Sequence, residues 1–461
     1  MPSITSPVDG SIAHTWEEPT LEAARAAVSR AGAAQRKAAE MTLAERQALC
    51  LAAYEAYGEH LDEHARAITR MMGKPVGQAK GEYLRSMKER VHALVAMAPR
   101  ALAETPMPHR LGFTRFTTRE PVGVVLVVAA WNYPLLVPTN ALFASVLAGN
   151  AVVLKHAPQT MAVGDQLAKA FEDAGAPPGL VTALPASHEV VAALLAERAF
   201  GYVSFTGSVR GGHEVQRAAA QQGFAPVGLE LGGNDPAIVL PDCDFDSTVE
   251  NVVDGAFYNS GQSCCAVKRV LVHASLRAKF VEAAAELVRK YVVGDPFASE
   301  TSLGPVVNLA AAERVRAHVH DALEKGGRRV VEASAFKLPT RSPCYLAPEL
   351  IDEASPDSSL MRDETFGPAL GVTTFTTDEE AAALTNNQAF GLTASIWTRD
   401  VKRAEVLGRK LDVGTVFMNR CDYLDPEMPW TGTKDSGAGV SLSPLGFLAV
   451  TRPKNFHFRL P

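Results

Sequence analysis

The chain is predicted to be an α/β protein with two doubly wound, largely parallel sheets, each in its own domain, and a small β element beside them. Three observations carry this. From about residue 120 onward, short apolar runs alternate with helical patterns, as in sheets covered on both faces. The 461 residues exceed one ordinary core and fit two large domains. At 47% hydrophobic and 21% charged, the composition is that of an ordinary globular enzyme.

Residues 20–100 show helical periodicity. Leu43, Leu49, Leu51, Ala52, Tyr54 and Tyr57 fall on one stripe, and Thr42 with Glu45 makes a capping box. Gly73-Lys74-Pro75 breaks the pattern between two helices. Residues 112–120 alternate like an exposed strand. The apolar run 122–129 reads as a strand buried on both faces, followed by a helix beginning near Pro138 and a second strand at 151–155. Further strands are expected at 180–184, 202–205, 236–240, 270–272, 370–375 and 414–418, with helices between them. The tail, 446–461, reads as an edge strand. No internal repeat is evident.

Forty-five Lys and Arg against 51 Asp and Glu give a net charge of −6, with no basic stripe, so nucleic acid is not an expected partner. The longest apolar stretch, 122–137, is interrupted by Asn132 and Pro134 and is too short to span a bilayer. The first six residues lack the basic and apolar parts of a signal peptide. The six cysteines show no C-x-x-C spacing, so neither a metal site nor a disulfide framework is expected, and the expected compartment is a reducing cytoplasm.

The residues that carry chemistry sit in small-residue loops. Cys264 lies in Gly261-Gln262-Ser263-Cys264-Cys265, and Glu230 in Glu230-Leu231-Gly232-Gly233. A thiol and a carboxylate so placed suit a covalent nucleophile and a general base, although each alone also suits a buried small residue or a solvated carboxylate. Phe205-Thr206-Gly207-Ser208 follows a strand and opens a helix, where backbone amides hold an anion or simply make a turn. It is not G-x-G-x-x-G. Lys155 ends a strand, within reach of a ribose or of solvent. Asn132 follows the first buried strand, as an oxyanion donor or a turn residue. Glu364, in Glu364-Thr365-Phe366-Gly367-Pro368, is a further candidate. His156 reads as a packed or exposed histidine.

Together these segments resemble the aldehyde dehydrogenase superfamily over nearly the whole chain. Glu-Leu-Gly-Gly at 230–233 and Gly-Gln-x-Cys at 261–264 are the most specific motifs. Trp131-Asn132-Tyr133-Pro134, Phe205-Thr206-Gly207-Ser208, Glu364-x-Phe366-Gly367-Pro368 and Lys434-Asp435-Ser436-Gly437 stand in family order. The resemblance implies a Rossmann-like cofactor domain (1–102 and 122–229), a catalytic domain (230–436) and an oligomerisation element (103–121 and 437–461), in a homodimer or homotetramer. It implies Cys264 as nucleophile, Glu230 as the base that activates water, and Asn132 with the Cys264 N–H as oxyanion hole. Lys155 and Glu364 are implied to hold the riboses, Gly207 and Ser208 the pyrophosphate, and Trp131, Leu231 and Phe366 to contact the cofactor. An aldehyde is then oxidised to the acid through a thiohemiacetal and a thioester. Tyr133, Val137, Asn140, Ser263, Cys265, Asp422, Leu424 and Trp430 are the substrate-pocket candidates.

Departures from the family pattern bear on specificity. Pro158 stands where many NAD-preferring relatives carry a Glu, which removes a bar to NADP; NAD is slightly favoured and NADP stays open. Lys155-His156-Ala157-Pro158 is similar to a run in bacterial succinate-semialdehyde dehydrogenases, so that specific activity is the main alternative. The segment 419–432 is unusual for the family, and Arg420 in it suits either a substrate carboxylate or a loop position. An acylating relative, an ester hydrolase and a non-catalytic binding protein on this scaffold are weaker alternatives, opposed by the presence of Glu230, the nucleotide motifs and the full Cys264, Glu230 and Asn132 set.

Overall fold

The apolar run after residue 121 forms Val124–Ala129, the hub of a six-stranded sheet, and the computed structural model describes residues 1–221 and 223–461. Across this sheet lie Gly437–Ala438, Val227–Glu230, Tyr202–Thr206, Val124–Ala129, Ala151–His156 and Val181–Ala183. All pair in parallel except Gly437–Ala438, which is antiparallel to Val227–Glu230. The chain winds outward from Val124–Ala129 in one direction, then returns to its other side with Tyr202–Thr206. That reversal opens a crevice at the carboxyl ends of the strands, where doubly wound sheets bind ligands.

A second sheet of seven strands runs Arg328–Arg329, Glu349–Asp352, Ala369–Phe375, Val267–His273, Asp235–Val239, Thr393–Trp397 and Thr415–Met418. It is parallel except for the short Arg328–Arg329 edge. The chain passes from one sheet to the other within four residues, Leu231 to Asn234, so the carboxyl end of Val227–Glu230 meets the start of Asp235–Val239. A third sheet pairs Phe113–Pro121 with Thr105–Pro106 on one side and Thr451–Arg459 on the other.

The capping box at Thr42 and Glu45 forms as expected at the start of Leu43–Gly58. The buried stripe of that helix differs from expectation. It comprises Leu49, Cys50, Ala53, Tyr54 and Tyr57, while Ala52 is exposed and Leu51 half-buried. Three and four residue steps from Leu49 and Cys50 reach Ala53, Tyr54 and Tyr57, so a small alanine and a cysteine take the inner face. The expected helix near Pro138 runs Leu136–Leu147. The tail is not all strand: Ser443–Ala449 is a helix with proline in its first turn, and only Thr451–Arg459 is extended. This helix packs on Lys88–Ala101 and Leu136–Leu147, so of the tail only the last strand joins the third sheet.

Candidate active site

One cavity of about 750 Å³ lies between the carboxyl ends of the six-stranded sheet and the amino ends of the seven-stranded one. All the sequence-derived site residues but Arg420 line it. Cys264, Glu230 and Asn132 lie on its wall, as do Lys155, Gly207, Ser208, Trp131, Leu231, Glu364 and Phe366. So do Tyr133, Val137, Asn140, Ser263, Cys265, Asp422, Leu424 and Trp430. Arg420 stands apart: its guanidinium lies 3.3 Å from the centroid of the Tyr423 ring, on an exposed loop.

Glu230 ends its strand in mid-sheet. Its carboxylate accepts hydrogen bonds from the Ser441 hydroxyl and, at 3.3 Å, from the Thr206 hydroxyl. Burial raises its pKa above the ordinary carboxylate value, opposed by the Ser441 hydroxyl and by the positive charge of Arg90. Arg90 is itself buried, donating to Asn140 Oδ1 at 2.7 Å and to the Leu136 carbonyl at 3.1 Å. Asn140 therefore serves the support of Glu230 as well as the wall.

The glycines after Glu230 permit two close approaches. A Cβ on Gly232 would lie 2.3 Å from Glu364 Oε2, and one on Gly233 would lie 2.6 Å from the Cys264 carbonyl oxygen. Glu364 accepts from the Gly233 N–H at 3.0 Å. Ser436 locks the same segment from the other side, donating to the Gly232 carbonyl at 2.7 Å while its own carbonyl accepts from the Leu231 N–H at 2.9 Å.

The loop before Cys264 is wound tightly. Asn259, Ser260 and Gly261 have φ of 52°, 56° and 70°, three consecutive left-handed residues. Asn259 holds the turn, its Nδ2 donating to the Asn132 carbonyl at 3.0 Å and to the Gln262 carbonyl at 3.1 Å. Gln262 is buried, its Oε1 accepting from the Val307 N–H at 2.8 Å. The Asn132 amide donates to the Gln262 carbonyl at 3.2 Å, which brings the tryptophan-asparagine loop against the cysteine loop. Among the described residues the Cys264 N–H makes no hydrogen bond. A Cβ on Gly261 would lie 2.2 Å from the Gly367 carbonyl oxygen. Gly261→Ala is therefore expected to cost about 3 kcal/mol or more, from the φ and the clash together. The exposed-loop control Gly326→Ala, with φ 92° and open space around its Cβ, should cost only the backbone term of about 1–2 kcal/mol. Equal denaturation midpoints for the two variants would contradict the close-approach argument.

Cys264 is half-buried, whereas Cys265 is buried and its thiol donates to Asp422 Oδ1 at 3.1 Å. The neighbouring Cys264 thiol and burial push the Cys265 pKa well up. Ser263 also turns to Asp422, at 2.7 Å. Ser263 and Cys265 thus brace the 419–432 loop from beneath.

At the other end, Lys155 is buried, which depresses its pKa to about 8, and Pro158 and His188 lie beside it on the wall. Ser208 caps the helix Val209–Ala220, accepting from the Gly211 N–H at 3.2 Å. Trp131 and Phe366 meet edge to face at 5.6 Å in the middle of the cavity. His156 is packed, with Nε2 2.9 Å from the Pro134 carbonyl, and burial pushes its pKa down to about 4. Helix amides, a strand-end lysine and an enclosed carboxylate along one trench fit an extended dinucleotide.

Sequence reasoning missed Arg90, Thr206, Ser441, Asn259 and Asp254. Asn259 carried a local signal, since it sits two residues before Gly261 in the same loop. Thr206 stood inside the Phe205-Thr206-Gly207-Ser208 motif without a role of its own, and Arg90, Ser441 and Asp254 reach the site from other segments. No group of three or more metal-ligating side chains is assembled among the described residues, and no helix there is long and apolar enough to cross a membrane.

Residues 2–456 match the model of the aldehyde dehydrogenase family. A succinate-semialdehyde dehydrogenase [NADP(+)] of Deinococcus radiodurans is 33% identical over 97% of this chain and 93% of its own length. A betaine aldehyde dehydrogenase of Cereibacter sphaeroides is 34% identical over 92% of this chain and 86% of its own. Among solved structures, an aldehyde dehydrogenase from Brucella melitensis biovar abortus superposes with a TM-score of 0.94 at 27% identity, covering 100% of this chain and 94% of that one. A succinic semialdehyde dehydrogenase from Streptococcus pyogenes in complex with NADP+ superposes with a TM-score of 0.93 at 27% identity, covering 99% of both chains.

Proposed function

Since this chain belongs to the aldehyde dehydrogenase family and is an NAD(P)-dependent oxidoreductase acting on aldehydes, we propose that it works by covalent catalysis at Cys264 with hydrolysis promoted by Glu230. The observation that carries this reading is the convergence of Cys264, Glu230 and Asn132 on one cavity from three separate segments. Cys264, the more open of the adjacent thiols, loses its proton and attacks the aldehyde carbonyl as the thiolate, forming a carbon–sulfur bond as the carbonyl electron pair moves to oxygen. The free Cys264 N–H and the Asn132 amide stabilise the oxyanion of the resulting thiohemiacetal. Nicotinamide, which Trp131, Leu231 and Phe366 would hold, would supply the hydride acceptor that oxidation of this adduct to a thioester requires. Glu230, its pKa raised by burial, then takes a proton from water, which attacks the thioester carbonyl, and the Cys264 thiolate leaves.

Ser208, Gly207, Lys155 and Glu364 hold the nucleotide, with Trp131, Leu231 and Phe366 flanking its reactive end. Pro158 in place of a carboxylate beside Lys155 supports use of NADP beside NAD. Pro158→Glu is expected to raise KM for NADP roughly tenfold or more and to leave that for NAD within about threefold, because a carboxylate there repels a 2′-phosphate. Equal effects on both would remove this account of cofactor choice.

A medium-sized aldehyde without a carboxylate tail fits the substrate end best. Asp422 and Asp254 lie on that wall with Arg90, which is committed to Asn140, and with Arg85, which makes no ion pair among the described residues and is the cation a carboxylate tail would meet. Succinate semialdehyde is the second reading, on the strength of the relatives named above. A panel of aldehydes read by NAD(P)H absorbance ranks the two. The six-stranded sheet serves as cofactor domain and the seven-stranded as catalytic domain. The third sheet, with the edge strand Thr451–Arg459 and exposed Phe458, serves to join copies into a homodimer or homotetramer.

A further inference from the structure

We infer that the buried Lys74–Glu82 ion pair is a positioning element for Asn132, an inference that rests on the reading of Asn132 as oxyanion donor. The two side chains are 1% and 2% exposed, with Nζ and Oε2 2.6 Å apart, and neither lines the cavity. The other oxygen of Glu82 accepts from the backbone N–H groups of Leu135 and Leu136, at 2.8 and 3.0 Å. These lie at the start of the helix Leu136–Leu147, whose N-cap residue, Leu135, has no side chain able to cap it. The Lys74 ammonium lies 4.1 Å from the centroid of the Tyr133 ring. The pair therefore grips residues 133, 135 and 136, immediately after Asn132.

The same segment grips the cysteine loop. Gln78 Oε1 accepts from the Asn259 N–H at 3.2 Å. A Cβ on Gly304 would lie 1.9 Å from the Gly73 carbonyl oxygen, and Ser260 donates to the Gly304 carbonyl at 2.9 Å. Residues 73–82 thus hold both halves of the oxyanion site, the loop of Asn132 and the loop of Cys264. Glu82 opens a π-helical stretch, Glu82–Met87, a wide turn that brings its carboxylate inward. Burying two charges is costly, and an apolar pair of the same size is often as stable, so the pair is better explained by the geometry it imposes. Asn132 needs that geometry, because misplacing a catalytic donor by about 1 Å costs roughly 10²-fold in rate.

Glu82→Gln keeps the shape and an acceptor oxygen but removes the charge facing Lys74. The expected result is a fall in kcat of roughly 10- to 100-fold, with KM for the nucleotide within about twofold and an unchanged rate of Cys264 alkylation by iodoacetamide, a reaction that needs no oxyanion donor. In an Asn132→Ala background, where the donor is already gone, adding Glu82→Gln should cost less than about threefold more. Losses that multiply in the double variant, or that take Cys264 alkylation and nucleotide affinity with them, would overturn the positioning role. If Glu82→Gln does not fold, Lys74→Met/Glu82→Gln leaves no unpaired buried charge and is subject to the same non-additivity test. An Asn132→Ala variant with undiminished kcat would instead refute the oxyanion reading on which the inference rests.

Discussion

Replacing Cys264 by alanine is expected to lower aldehyde oxidation by about 10⁴-fold or more while leaving nucleotide binding intact. The loss is total in kind because no other thiol on the wall is fitted to substitute. Cys265 is buried, donates to Asp422 and has its pKa pushed up by the neighbouring thiol and by burial. Cys421 faces the Asn251 carbonyl at 3.4 Å, and burial raises its pKa well above that of a free thiol. A raised pKa leaves little thiolate at neutral pH, and the thiolate is the nucleophile. Cys265→Ser should accordingly retain most activity, since a hydroxyl can still donate to Asp422. Steady-state turnover together with nucleotide titration checks both. Turnover that survives in Cys264→Ala would place the nucleophile elsewhere.

Glu230→Gln should slow steady-state turnover by roughly 10²- to 10⁴-fold, the usual contribution of a general base, yet leave a first-turnover burst of NAD(P)H. The glutamine can accept from Ser441 through its carbonyl oxygen and donate to the Thr206 hydroxyl through its amide, so the fold is kept and the base is lost. The sign of the pH dependence follows from the raised pKa of Glu230. The base is active when ionised, so wild-type deacylation falls as pH drops through that raised value, at a pH above the ordinary carboxylate range. Glu230→Gln should abolish that limb of the profile. A variant that loses the burst together with turnover would assign Glu230 to thiol activation or to structure instead.

The loops of the proposed site were legible in the sequence because their constraints are local. Gly232, Gly233 and Gly261 are glycines for close approaches that leave no room for a side chain, and they frame Glu230 and Cys264 within a few residues. Strands such as Val124–Ala129 and Asp235–Val239 were legible because burial on both faces makes them apolar runs, whereas Val227–Glu230, Glu349–Asp352 and Thr393–Trp397 were not, being four or five residues long and interrupted by small or polar residues. What surrounds the site loops was not legible. Ser441 and Arg90 reach Glu230 from segments whose residue types also suit any surface or turn, and Thr206, although inside the Phe205–Ser208 motif, had nothing to tie it to Glu230. Asp422 meets Ser263 and Cys265 only because the loop 419–432 folds back across the cavity. Nothing in the sequence around Lys74 and Glu82 marks them as a pair, yet their side chains are 1% and 2% exposed. The short helix Ser443–Ala449 escaped notice because its seven residues are too few for periodicity to show, although Pro444 in its first turn marks such a start.

The most direct test of covalent catalysis is intact mass spectrometry of Glu230→Gln after mixing with an aldehyde it oxidises and NAD(P)+. The expected result is a species heavier by the mass of the aldehyde less two hydrogens, lying on the peptide that contains Cys264 and absent from Cys264→Ala/Glu230→Gln. A first turnover of NAD(P)H with no such species, or an adduct mapped to another residue, would contradict the account.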